Sequence, residues 1–123
     1  MEIKVLKNNQ NLKLKPAKLA VIDIGSNSIR MLIYEDFNSS RVPFFNEKAV
    51  CELGKNLDKS RKLHKSGVDY AQKVLKRFSE ILNVSKIVNL KIIATAVLRE
   101  ATDSKPFVEY VENLFKKKIE ILS

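Results

Sequence analysis

Apolar residues first gather at Leu19-Ala20-Val21-Ile22, a run rich in β-branched side chains that continues through Asp23 and Ile24 to a break at Gly25-Ser26-Asn27-Ser28. A short apolar run bounded by turn formers reads as a buried strand ending in a tight turn. Strand character resumes from Ile29 to Tyr34. A turn-forming cluster, Asp36-Phe37-Asn38-Ser39-Ser40, then leads to Val42 and a third extended run ending near Leu53. Three strands with short connections predict an antiparallel meander.

The period then changes. Residues 54–65 are polar apart from Leu57 and Leu63, after which Val68, Ala71, Val74, Leu75, Phe78, Ile81 and Leu82 recur at helical spacing. This predicts an amphipathic helix with Ser66 as its N-cap. Leu90, Ile92, Ile93 and Ala94 form another short buried-type strand. A second helix follows, capped by Asp103, with Pro106 in its first turn and Phe107, Val108, Val111, Leu114 and Phe115 on its apolar face. Lys116, Lys117 and Lys118 close it, and Ile119-Glu120-Ile121-Leu122 begins a further strand. The predicted order is βββαβαβ, an α/β fold. Residues 1–18, rich in Lys and Asn, read as a mobile basic tail, and residues 19–123 as one partial domain.

Composition narrows the functional classes. At 123 residues and 45% apolar, the chain supports one core and is neither disordered nor low in complexity. No apolar run approaches the roughly 18 residues that span a bilayer, and the amino terminus carries no signal-like apolar block, so no membrane role and a cytoplasmic location are expected. Cys51 is the lone cysteine, which excludes an internal disulfide or a cysteine metal cluster. His64 has no second His or Cys near it in sequence and reads as a surface residue.

A net charge of +9 favours anionic partners. Nucleic acid is disfavoured because six of the nine aromatic residues are Phe, several at core positions, and the basic residues are not interleaved with an aromatic platform.

Two segments carry candidate chemistry. In Asp23-Ile24-Gly25-Ser26-Asn27-Ser28 a carboxylate at a strand end is followed by small residues whose backbone N–H groups can approach an anion. The same six residues are also compatible with a polar hairpin turn. In Ala94-Thr95-Ala96-Val97-Leu98-Arg99-Glu100-Ala101 an Arg follows a strand, where it can grip phosphate bidentately or form a surface salt bridge.

Read in order, Asp23 to Arg30, Asn46-Glu47-Lys48 with Cys51-Glu52-Leu53-Gly54, and Thr95 to Ala101 resemble the motifs of the exopolyphosphatase/guanosine pentaphosphatase family. The resemblance covers residues 19–123 and implies a ribonuclease-H-like half-domain of the actin, sugar kinase and heat-shock chaperone ATPase superfamily. It also implies phosphate binding by Gly25, Ser26, Asn27, Ser28 and Arg99, and Mg²⁺ held with help from Asp23. The implied substrate is polyphosphate or guanosine pentaphosphate. The family's general base is a Glu that follows the stretch matching Ile119 to Ser123, so no catalytic base is expected within this chain.

The expected activity is therefore that of a truncated or split phosphohydrolase domain, inactive alone, that needs a carboxyl-terminal half in trans or a homodimer. A non-catalytic polyphosphate- or nucleotide-binding module and an inert gene relic are the alternatives.

Overall fold

The structure, a computed structural model, describes residues 18–35 and 42–122. The predicted tail falls outside these residues except for Lys18, which opens the first strand. The elements are β1 (Lys18–Ile24), β2 (Ser28–Glu35), β3 (Phe45–Val50), α1 (Leu57–Ser60), α2 (Lys65–Val84), β4 (Asn89–Ala94), α3 (Val97–Glu100), α4 (Lys105–Phe115) and β5 (Ile119–Ile121). The predicted order holds, with two four-residue helices added. Both fall in stretches too short to show a helical period.

The five strands form one sheet in the order β3-β2-β1-β4-β5. β1, β2 and β3 pair antiparallel, as the meander predicted, while β4 and β5 join parallel to β1. Each parallel crossover carries a helix, α2 before β4 and α4 before β5. Register sets Ile24 beside Ala94 and Ala94 beside Ile121. The carboxyl ends of all three parallel strands therefore lie in one line. Ligands of open α/β sheets bind at such an edge.

The helices cover one sheet face. Ala20, Ile22 and Ile24, Ile29, Met31 and Ile33, and Ile92 and Ala94 are buried with Ala71, Leu75 and Phe78 of α2 and with Phe107 and Val111 of α4. Burying a side chain of this size contributes roughly 1.5–3 kcal/mol. Tyr110 Oη of α4 donates to the Gln72 carbonyl of α2 at 3.2 Å, fixing the two helices together.

β1 is thus half-buried rather than fully buried. Asp23 does not interrupt a buried strand; it takes the exposed phase of the alternation, on the face that the helices leave open.

Two capping expectations are corrected. α2 begins at Lys65, with His64 at the N-cap, and Ser66 lies inside the first turn, its Oγ sharing a 2.9 Å hydrogen bond with His64 Nε2. His64 is half-buried there, not fully on the surface. At α4 the N-cap position belongs to Ser104. Asp103 is diverted: its Oδ1 accepts the Leu63 N–H at 2.9 Å, a tertiary tie in place of a local cap. Ser104 Oγ in turn donates to the Leu98 carbonyl at 2.6 Å. Pro106 sits in the first turn of α4 as predicted.

Candidate phosphate-binding ledge

β1 and β2 are joined by Gly25-Ser26-Asn27, closed by a 2.9 Å bond from the Gly25 N–H to the Ser28 carbonyl. The loop is a hairpin connection, so the structural reading of these residues holds as geometry, and it leaves the ligand-binding reading open. Gly25 does not adopt a positive φ. A Cβ there would stand 3.2 Å from the Ser28 oxygen, so close approach of the turn is what favours glycine.

A second segment straps the loop from behind. Asn27 O accepts the N–H groups of Cys51 at 3.0 Å and Glu52 at 2.9 Å, and Ser26 O accepts that of Gly54 at 2.9 Å. A Cβ on Gly54 would collide with Ser26 Oγ. Behind the strap, Gly67 of α2 packs so near that a Cβ would strike the Cys51 carbonyl. Glu52 takes a left-handed φ of 57° to make this turn.

The Ser26 and Asn27 carbonyls are therefore occupied by the strap. Among the described residues the Ser26 and Asn27 N–H groups donate no backbone hydrogen bond. Both residues are exposed. Asn27 Nδ2 adds a donor, held 3.3 Å from Ser28 Oγ. Free N–H groups on a rigid turn form an anion-binding concavity.

The predicted residues are not all brought together. Asp23 is exposed on the open sheet face, across from Arg30 in β2 and Ile93 in β4. Thr95 N–H donates to the Ile24 carbonyl at 3.0 Å, so the second motif starts directly beside the loop. Its Arg99, on α3, turns instead to the next strand end, where Nη1 donates to the Leu122 carbonyl at 2.6 Å. Among the described residues Arg99 forms no salt bridge. The guanidinium is exposed and keeps further N–H donors beyond the one used.

No group of three or more His, Cys, Asp or Glu side chains able to hold a metal occurs among the described residues. A lone exposed carboxylate does not make an all-protein cage, but it suits Mg²⁺, which keeps several waters and takes its remaining ligands from substrate phosphates. Burial pushes the Cys51 thiol up from its ordinary range, which makes it an inert core residue rather than a nucleophile.

Sequence reasoning quoted Cys51-Glu52-Leu53-Gly54 but assigned it no role in the site. The signal available was Gly54, a glycine in a polar stretch with no turn partner. The left-handed Glu52 had none.

The Ppx/GppA phosphatase family model matches residues 32–123. The chain belongs to this family. Within the Ppx/GppA family it is 31% identical over 104 residues to the guanosine-5'-triphosphate,3'-diphosphate pyrophosphatase of Aeromonas hydrophila, covering 85% of this chain and 21% of that protein. The corresponding protein of Vibrio parahaemolyticus shows the same identity and coverage.

Among solved structures, the Aquifex aeolicus family member superposes with a TM-score of 0.79 at 23% identity, over 87% of this chain and 35% of that one. An exopolyphosphatase from Cytophaga hutchinsonii gives 0.76 at 24% identity, over 85% and 34%. The fold is the ribonuclease-H-like half-domain that the motifs implied. The chain spans about one fifth of the length of the curated relatives it matches. No helix among the described residues is long and apolar enough to cross a membrane.

Proposed function

We propose that this chain supplies one half of the phosphate site of an exopolyphosphatase-type phosphohydrolase. The observation that carries the reading is the pair of free N–H groups at Ser26 and Asn27, held on an exposed turn at the carboxyl edge of the parallel strands. Gly25 to Ser28 cradle a terminal phosphoryl group, with Asn27 and the serine hydroxyls as side-chain donors. Arg99 exchanges its contact with Leu122 for one with the next phosphoryl group along the chain. Asp23 would hold Mg²⁺, which when bound offsets phosphate charge. The net charge of +9 draws the polyanion to the surface.

The substrate class is polyphosphate or guanosine pentaphosphate. Water attack on the terminal phosphorus needs a carboxylate base to take the proton, and the released terminal phosphate leaves the shortened chain as the other product. That base comes from polypeptide other than these residues, a carboxyl-terminal half. Without it the ledge binds and does not turn over, which is also how a pure binding module would behave.

Calorimetric titration of long-chain polyphosphate into the chain, with and without Mg²⁺, tests the reading beside phosphate release. Ser26→Asp places a charge on an exposed position of the ledge without disturbing the core, so affinity is expected to fall at least about tenfold. Equal affinity in wild type and Ser26→Asp would remove the ledge as the binding site. Phosphate release by the chain alone that Arg99→Ala abolishes would show that a base is present after all.

A further inference from the structure

At the opposite end of the sheet from the ledge, the last turns of α2 and α4 part over the amino ends of β4 and β5. They leave a groove of about 560 Å³. Its apolar lining comes from Leu82, Ile87, Leu90, Leu114 and Phe115. Ser79 also lines it and is only 9% exposed, yet its hydroxyl has no hydrogen-bond partner among the described residues. A buried hydroxyl normally finds one.

Three features specify an occupant. Val88, which lines the groove, stands 88% exposed, and Val84, the last residue of α2, stands 84% exposed outside the lining, so exposed apolar surface continues past the cavity itself. A small ligand filling the groove would leave Val84 wet, whereas a polypeptide segment laid across it covers both valines. Lys116 and Lys117 form the lip, and Lys86 precedes Ile87 on the other side. None of the three is ion-paired among the described residues, whereas Lys118 is drawn to Glu112. The ends of α2 and α4 each bring about half a negative charge to this lip. Three whole positive charges outweigh them. The Ser79 hydroxyl supplies a donor at the floor for one acceptor of the incoming chain.

We propose that this groove docks an acidic amphipathic segment of a partner protein, apolar side inward and carboxylates on the lysine lip. The site is independent of the phosphate ledge and stands or falls separately from it.

Selection of a phage-displayed library of random 16-residue peptides on the full chain tests this, with Val88→Asp as the discriminating variant and Lys48→Ala, on exposed β3, as its charge-matched control. Val88 is exposed, so its replacement leaves folding intact. The expected result is enrichment of peptides that combine apolar residues at helical spacing with Asp or Glu. These should bind wild type and Lys48→Ala alike, bind Val88→Asp at least about tenfold more weakly, and shift the backbone amide resonances of Ser79 and Leu114. Failure to enrich any peptide, enrichment of peptides without acidic residues, or equal binding to Val88→Asp would overturn the proposal. Dodecanoate that shifts the same amides and displaces the peptides would instead make the groove a small-amphiphile site.

Discussion

Replacing Gly67 with Ala tests how the ledge is braced. In an exposed helix this change stabilises, because alanine is favoured over glycine by about 0.8–1 kcal/mol. Here Gly67 faces the strap, and its new Cβ would strike the Cys51 carbonyl and stand 3.1 Å from the Glu52 carbonyl. Both obstacles are backbone, so no rotamer change relieves them. Either α2 moves outward, loosening its packing, or the strap moves and pulls on Asn27. Overpacking of this kind costs about 1–3 kcal/mol, and so short an approach belongs at the upper end. The propensity gain offsets at most about 1 kcal/mol, leaving a net loss near 2 kcal/mol. For a chain of this size that lowers Tm by roughly 6–12 °C.

Urea unfolding followed by circular dichroism measures the loss, and polyphosphate titration of the folded variant reports the strain passed to Asn27. A Gly67→Ala chain as stable as wild type would refute the bracing argument, since propensity would then have prevailed.

Asp103→Ala leaves the part-buried Leu63 N–H without its acceptor and is expected to cost about 1–2 kcal/mol in urea unfolding; Asp103→Asn, which keeps an oxygen there, should cost less. The Cys51 thiol is raised by burial, so the folded chain holds its proton more tightly than the unfolded one. That contribution is fully present below the unfolded value of about 8.5 and is lost as pH rises through the higher folded value, so stability relative to Cys51→Ala should fall in alkaline solution. Glu120→Gln removes an exposed 3.7 Å pair with Lys91 and should change stability by less than about 0.5 kcal/mol. Arg99→Lys keeps the charge but not the planar fork, and should lose polyphosphate affinity while leaving the unfolding midpoint nearly unchanged.

Periodicity made the main elements legible, because α2 and α4 each show an apolar stripe and the strands are bounded by turn formers. It failed where a residue serves a distant partner. Asp103 is a good cap by type, and a one-dimensional pattern rewards type. Leu63, forty positions from Asp103, decided otherwise. The short helices around Leu57 and Val97 were invisible for a different reason, since one turn has no period. The face assignment of β1 failed because Leu19 and Val21 are apolar although they occupy the open side. An apolar run therefore reads as a buried strand although only one of its faces is covered.

The candidate site repeats this division. Asp23 to Ser28 was legible because a strand end, a carboxylate and small polar residues are contiguous. The strap was not, because its action on the loop runs through backbone bonds from Cys51, Glu52 and Gly54 to carbonyls more than twenty residues earlier. What sets the second motif beside the loop is also backbone: Thr95 donates to Ile24 and Leu122 to Ala94 at 2.8 Å, each strand end tying down the next. Since Arg99 reaches the Leu122 carbonyl, its side chain closes this series across β5. If a phosphate takes the Nη1 donor now given to Leu122, that contact is lost, and anion binding by Arg99 is then linked to the hold on the β5 edge. The linkage runs both ways: whatever secures the Leu122 carbonyl by other means releases Arg99 for phosphate.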